Sequence, residues 1–547
     1  MFQRILSIAA LALLTSTAIA FDPIEHIHTK LAEGNKKVVV PKGTYTLTPK
    51  DVIYLKLDNV EDVEIDLSGV EFIGKIRTKM IHLNQCKRVT IKGLAIDYET
   101  LPFTQAVITN IDADKNWDVK VIEGYPMEDI PSTGDCWPIQ VYHKDTLELH
   151  NPMRFRDNIN IARTGKDTYR ITGGIDRRGN LGDIAVWSVK DTKNKTSAGA
   201  ISAIDCEAIR FEDITIYSTP HQAAFYEKCG NKNTYLRCKI IRRPPEIDLQ
   251  KRGLKRLRSG NHDAFMHRGS IVGPQLIGCV AQYHSDDCVN ISGMYSIITE
   301  AKGRELRILV NWLGLNFSPG DTAQVMTYEG ECPDDVTVTA IEPDGDVTPE
   351  DRKYLDSLGF WPGLAGSCKK AYKLTIDRDV DFSKGSVIIS NNHQGNGFLI
   401  KDCVFGRSRA RGLLIKASNG VIENNFIEGC NSSGMQISME YQWMEGGCSR
   451  DLLIANNRLR DNGGAAITIA GTSGNKSNLP PNSHRNIALI NNVIYESEQG
   501  IVVSGCKGLT ITGNKLTIFK SDPWRGIFLR NTEDVTQSDN VVKLGQE

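Results

Sequence analysis

A unit of strand, asparagine turn and strand recurs along the C-terminal half of this chain, and few folds accommodate it. The stretches "GLLIKASNGVIENNFIEG" (412–429), "DLLIANNRLRDNGGAAITIAG" (451–471), "NIALINNVIYESEQGIVVSG" (486–505) and "GLTITGNKLTI" (508–518) share it. Each carries a short β-branched strand, a turn asparagine, a second strand and a glycine. The asparagines Asn425, Asn457, Asn492 and Asn514 lie 32, 35 and 22 residues apart. The shortest interval is about one coil of a parallel β-helix, and the longer ones fit a coil with a loop inserted. One coil cannot bury its own apolar face. Stacked coils share a core, and asparagines repeated at one turn can hydrogen-bond along a ladder. Asparagine also tolerates the left-handed backbone of such turns.

Earlier copies, "NVEDVEIDLSG" (59–69), "CKRVTIKGLAID" (86–97) and "CEAIRFEDITIY" (206–217), extend the pattern towards the N-terminus. The expected fold is therefore all-β, a right-handed parallel β-helix over residues 21–547, its hand set by the preference for right-handed crossovers. "KKVVVPKGTYTLTP" (36–49) is expected to open the solenoid and cap its end. Two segments, 104–198 and 295–390, break the repeat. They alternate with period two between turn clusters, which predicts two small antiparallel, barrel-like β insertions. Long insertions into a solenoid often project from its binding face.

Composition matters here mainly for what it excludes. With 65 basic and 66 acidic residues the formal net charge is −1, so nothing electrostatic points to a nucleic acid or an anionic membrane as partner. "MFQRILSIAALALLTSTAIA" (1–20) has the physics of a signal peptide: Arg4, an apolar run over 5–14, and Ala18-Ile19-Ala20 at the cleavage site. That run is too short to span a bilayer. Export to the periplasm or beyond, starting at Phe21 and without a membrane anchor, is the expectation. Of thirteen cysteines, Cys86, Cys206, Cys229, Cys279, Cys403, Cys430 and Cys506 end strand-like phrases. They read as a buried stack of small apolar side chains rather than as disulfides. Cys332 and Cys368 fall outside that pattern and are the expected bonded pair.

"YHSDDCVNISG" (283–293) sets Asp286 beside Asp287 with no lysine or arginine in the window. Asp263 precedes Asp286 by 23 residues, about one coil, and is expected directly beneath it at a rise of ~4.8 Å. A bulge at Ser285-Asp286 would turn both neighbours outward. Three carboxylates on one outer face suit acid-catalysed cleavage of a glycosidic bond. One, raised in pKa, protonates the leaving oxygen while the others activate water. An acid and base about 6.5–9.5 Å apart would predict inversion. The competing reading makes the aspartates turn caps or calcium ligands.

His262, His267, His284 and Asn290 flank the carboxylates as candidate sugar contacts. In "MEYQWMEGG" (439–447), Trp443 is placed to stack on a sugar, with Glu440 and Glu445 accepting from its hydroxyls; covering the solenoid flank is the alternative for Trp443. Arg409, Arg411 and Lys416 are candidates to bind a charged substituent, or simply solvated basic residues at a turn.

An aspartate followed one coil later by an aspartate pair resembles the inverting polygalacturonases. A fuller resemblance is to the β-helical α-1,3-galactosidases of glycoside hydrolase family 110. It runs through "IDYETLPFTQ" (96–105), "HDAFMHRGSIVGPQLIGC" (262–279), "HSDDCVNISG" (284–293), "RARGLLIKASNGVIENNFIEG" (409–429) and "GMQISMEYQWMEGGCSRDLLIANNRL" (434–459). The resemblance implies removal of terminal α-linked galactose with inversion, no metal or other cofactor, Asp286 as the acid, and Asp263 and Asp287 holding the water. It also implies a β-helix with two small β-barrel insertions.

Three other readings stay open. A β-helix polysaccharide lyase would use Arg268 or Arg411 as base and calcium on the aspartates. A polygalacturonase-like hydrolase would act on acidic polysaccharide. A non-catalytic carbohydrate-binding solenoid would show aromatic platforms without a carboxylate cluster.

Overall fold

The computed structural model describes residues 21–127, 139–150, 159–173, 179–189, 199–220, 223–361 and 363–545. The signal-peptide reading of 1–20 lies outside them. Thirty-two strands form one long, essentially parallel sheet wound into a β-helix. Registers run coil on coil: Phe225 pairs with Phe265, Phe265 with Val289, Val289 with Leu413, Leu413 with Met435, and Met435 with Ile467. All six are buried in one continuous core. Because strand side chains alternate, Met266, Asn290, Leu414 and Gln436 face outward from the same row.

The asparagine ladder forms, and it divides the labour within the turn. Asn425 donates its backbone N–H and its side-chain amide to Asn457 Oδ1, both at 3.0 Å. Asn457 donates in the same way to Asn492, Asn492 to Asn514, and Asn514 to Asn540. Left-handed backbone falls one residue earlier, on Asn424, Asn456 and Asn491 (φ 57°, 59° and 55°) and on Gly513. So the first asparagine of each Asn-Asn pair makes the turn and the second makes the ladder. Cys403 occupies the ladder position one coil below, its N–H donating to Asn425 Oδ1. Cys279 N–H meets Cys403 Sγ beneath that. These thiols are free and buried.

The disulfide differs from expectation. Cys332 bonds to Cys448, not to Cys368, which is buried and free. The Cys332 loop of the second insertion packs on the solenoid loop around Met439, Tyr441 and Met444, so the partner is set by docking rather than by order along the chain. Non-reducing peptide mapping is expected to give a Cys332–Cys448 cross-linked peptide. A Cys332–Cys368 peptide would contradict this structure.

The solenoid's N-terminal end is sealed by the helix Pro23–Ala32, capped by Asp22, with Ile27 in the core. Residues 36–49 do not form that cap. They supply strands Lys37–Val39 and Gly43–Leu47, paired with Glu61–Gly74 as the first coil.

The two insertions flank one row of strands. The first, a six-stranded antiparallel sheet, leaves after Lys87–Tyr98 and rejoins at Ile201–Ile204, the N-terminal end of the row. The second leaves the C-terminal end of Val289–Met294 and closes a five-stranded barrel. An excursion over 241–262, which the repeat does not announce, packs against the first insertion. Leu257 N–H donates to Gln105 Oε1 (2.7 Å), and buried Arg256 pairs with Asp97 and Asp248 (3.0 and 2.5 Å). That excursion delivers the chain to Asp263.

Candidate functional site

The three aspartates meet at the N-terminal rim of this outward row, but in a different register from that expected. Asp263 lies 24 residues below Asp287, whose N–H donates to Asp263 Oδ1 at 3.2 Å. The pairing of Phe265 with Val289 sets this coil length, so Asp263 stacks under Asp287, not under Asp286. One coil above, Arg411 continues the column. Its backbone N–H, Nε and Nη2 all reach Asp287, each at 2.9 Å.

Asp286 turns aside to pair with Arg409 (2.9 Å), and Arg409 Nε donates to Ser285 O (2.5 Å). Side-chain exposure is 14% for Asp286 against 3% for both Asp263 and Asp287. Asp286 is the member open to a substrate. The nearest Asp263 and Asp286 oxygens lie within 4.8 Å, closer than the ~6.5–9.5 Å of an inverting pair. The spacing expected from sequence is not met by these two.

Five carboxylates and four cations share the outward face of this row, the aspartates at the N-terminal rim of its strands and Glu440, Glu445, Arg268 and Lys416 at the C-terminal end. Lys416 Nζ bridges Glu440 (3.0 Å) and Glu445 (2.6 Å), Arg268 binds Glu445 (2.6 Å), and Arg411 approaches Glu440 (3.9 Å). Burial would raise the Glu445 carboxyl, but Arg268 and Lys416 together hold it down at about 2. Asp287 behaves oppositely. Burial pushes it up, and the charges of Asp286 and Asp263 add to burial against Arg411, reaching about 8.

With two donors from Arg411 on Asp287, its backbone N–H and Nη2, the proton is best assigned to the coupled carboxylates as a group. His262, 3.6 Å from Asp263, is raised to about 9: burial lowers it, but Asp263 and Asp286 outweigh burial. With His262 protonated, five cations face the five carboxylates near neutrality, and the proton on the carboxylates follows from burial and like charge at Asp287 rather than from the charge count.

Several sequence expectations are corrected. His267 points inward, as alternation from buried Phe265 requires, and lies beside buried Glu227 (3.4 Å), which accepts from Asn233, Tyr235 and Ser270. It does not reach the outer face. His284 is fully buried, and burial depresses it to about 4, so it is a packing residue behind the carboxylates. Arg409, Arg411 and Lys416 spend their charges on Asp286, Asp287, Glu440 and Glu445 rather than waiting for a charged substituent.

Asn290 does face outward, and its Oδ1 has no partner among the described residues. Trp443 is half-buried and stacks at 4.6 Å and 18° on Trp361 from the second insertion, so one face of its ring is already taken. Trp361 carries no repeat signal, and only docking of the insertion brings it here. Gly446 belongs to the same junction: a Cβ there would sit 2.0 Å from the Tyr295 ring at the insertion's root.

Two groups among the described residues offer ligand atoms close enough for a cation: His262 with Asp263 and Asp286, and His143 with His150 and Asp183. The second lies in the first insertion, where His150 Nε2 is already paired with Asp183 (2.8 Å).

Residues 365–482 match the family model described as a right handed beta helix region, in accord with the wound parallel sheet. The chain is 24% identical over 537 residues to alpha-1,3-galactosidase B of Bacteroides thetaiotaomicron, covering 92% of this chain and 82% of that one. Among solved structures, the A-module of a mannuronan C-5 epimerase from Azotobacter vinelandii matches at 10% identity, covering 96% and 95% of the two chains, with a TM-score of 0.35. The catalytic domain of an α-1,3-glucanase in complex with nigerose matches at 9%, covering 96% and 64%, with a TM-score of 0.38.

Proposed function

We propose that this chain is an exported, carbohydrate-active glycoside hydrolase, an exo-acting α-galactosidase that removes terminal α-1,3-linked galactose with inversion. The observation that carries the reading is the meeting of Asp263, Asp286 and Asp287 on one outward rim. There, burial and like charge keep a proton at neutral pH while two arginines hold the remaining charge. The relative in Bacteroides thetaiotaomicron, named an alpha-1,3-galactosidase and similar along most of both chains, supports the sugar and the linkage.

In this reading Asp286, the open member, passes the proton to the glycosidic oxygen. Asp263 and Asp287 hold a water between them, and Arg411 fixes Asp287. Asn290 Oδ1 accepts from a sugar hydroxyl, and the Trp361–Trp443 pair supplies an aromatic wall. The deciding experiment is a panel of α- and β-galactosides followed by proton NMR: β-galactose should be the first anomer formed from an α-galactoside. α-Galactose first would mean retention, as the short Asp263–Asp286 spacing alone would suggest, and no release from any galactoside would end the reading.

The pH profile separates this reading from a lyase. The proton that burial and the neighbouring carboxylates hold on Asp287 up to about 8 belongs to the coupled cluster and leaves through Asp286 in this reading, so its loss makes kcat/KM fall as pH rises through about 8. A lyase needs a deprotonated base and would gain activity instead. Its candidate bases, Arg268 and Arg411, are both held protonated: burial opposes, but Glu445 on one and Asp287 on the other raise them. Chelation is expected to leave the activity intact.

Trp361→Ala and Trp443→Ala should each raise KM more than they lower kcat, and the double variant should add little, because the two rings act as one wall. An unchanged KM in Trp443→Ala would remove the pair from the site.

A further inference from the structure

A cavity lies along the same turns that lead to the candidate carboxylates. Its volume is about 300 Å³, and it opens between the first insertion and the solenoid flank. From the solenoid come Tyr283, Arg407, Glu428 and Asp461; from the insertion come Tyr142 and Glu148. Tyr283 precedes Asp286 by three residues and Arg407 precedes Arg409 by two, so the cavity is within roughly 11 Å of chain from the aspartates.

The lining has the chemistry of a site for a neutral, hydroxyl-rich ligand. Arg407 is held by Glu148 (2.7 Å) and Glu428 (3.1 Å), so its charge is spent while its remaining N–H groups stay directed. Arg460 pairs with Glu496, which leaves the Asp461 carboxylate free to accept. Tyr142 is 1% exposed, and its hydroxyl has no partner among the described residues. A buried hydroxyl without a partner is costly unless a ligand or water satisfies it. One face of Tyr283 is covered by the Arg242 guanidinium, 3.4 Å from the ring centroid, which fixes the ring and leaves its edge and hydroxyl for the cavity. A phosphate, sulfate or uronate would meet three carboxylates here; a neutral sugar would meet directed donors and acceptors. The volume is at the small end of ligand pockets, enough for a short piece of glycan.

We propose that this cavity is a subsite for a neutral sugar of the leaving-group side, so that the preferred substrate is a branched or extended oligosaccharide rather than a simple galactoside. The proposal rests on the glycosidase reading above. Asp461→Ala and Arg407→Met test it, both lying outside the catalytic rim. Against a neutral tetrasaccharide ending in α-1,3-galactose, each should lower kcat/KM at least tenfold; against an aryl α-galactoside, which has no second sugar, each should stay within twofold of the parent. Equal losses on both substrates, or no loss on the tetrasaccharide, would overturn the subsite.

If the parent protein cleaves neither substrate, the glycosidase reading fails separately. Saturation-transfer NMR with the same tetrasaccharide then decides the cavity. Binding to the parent that disappears in the double variant upholds it, and binding that persists, or no binding to the parent, rejects it.

Discussion

Asp286→Asn should lower turnover of a natural α-1,3-galactoside by about 10²–10⁴-fold, the usual contribution of a positioned general acid. The loss should be much smaller on an aryl galactoside, whose phenol departs without a proton. Asp263→Asn and Asp287→Asn should depress both substrates alike, because water must be activated in either case. Asp287→Asn carries an extra consequence: it removes the charge that Arg411 Nε and Nη2 hold at 2.9 Å. The half-buried guanidinium then keeps only Glu440, 3.9 Å away, as an ion-pair partner among the described residues, which is destabilising, so the variant's folded fraction must be measured beside its rate. Turn caps would behave differently, costing about 0.5–2 kcal/mol of stability and leaving the surviving enzyme active. Three folded variants with parental turnover would show that the aspartates are only a turn.

Asn457→Ala should be strongly destabilising. Asn457 is fully buried. Its Oδ1 accepts two bonds from Asn425, and its amide donates to Ile422 O (2.9 Å) and Asn492 Oδ1 (3.0 Å). Alanine leaves buried donors and an acceptor stranded at about 1–3 kcal/mol each, for a total of about 3–6 kcal/mol once partial relaxation is allowed. The control is Asn540→Ala on the last rung, which is half-buried and within reach of water, where about 1 kcal/mol is expected. Urea unfolding of both variants checks the difference. Equal losses would mean that the ladder contributes through turn geometry alone.

The ladder and the carboxylates also show what kind of information each level carries. The Asn-Asn pairs were visible because two physical demands, positive φ and a side-chain amide at the turn, fall on adjacent residues and recur with the coil. Sequence assigned both demands to one residue, since spacing alone cannot separate neighbours. The aspartates were visible as unneutralised charge in a strand-like phrase, but the coil length was out by one, 23 against 24, and that moved Asp263 from beneath Asp286 to beneath Asp287. His267 and His284 were chosen by proximity along the chain; one faces the core and the other is buried behind the rim.

Taken alone, the sequence determined the all-β solenoid, its shared core and the ladder turn, and it singled out the three aspartates as candidates. Each of these follows from local periodicity or from a residue type that is costly out of place. Tertiary structure alone decided that Cys332 meets Cys448, that Trp361 backs Trp443, and that Arg409 and Arg411 neutralise one aspartate each. It also decided that the 241–262 excursion presents Asp263. These depend on how an insertion docks and which residues stack between coils, and a one-residue change of register alters which partners meet.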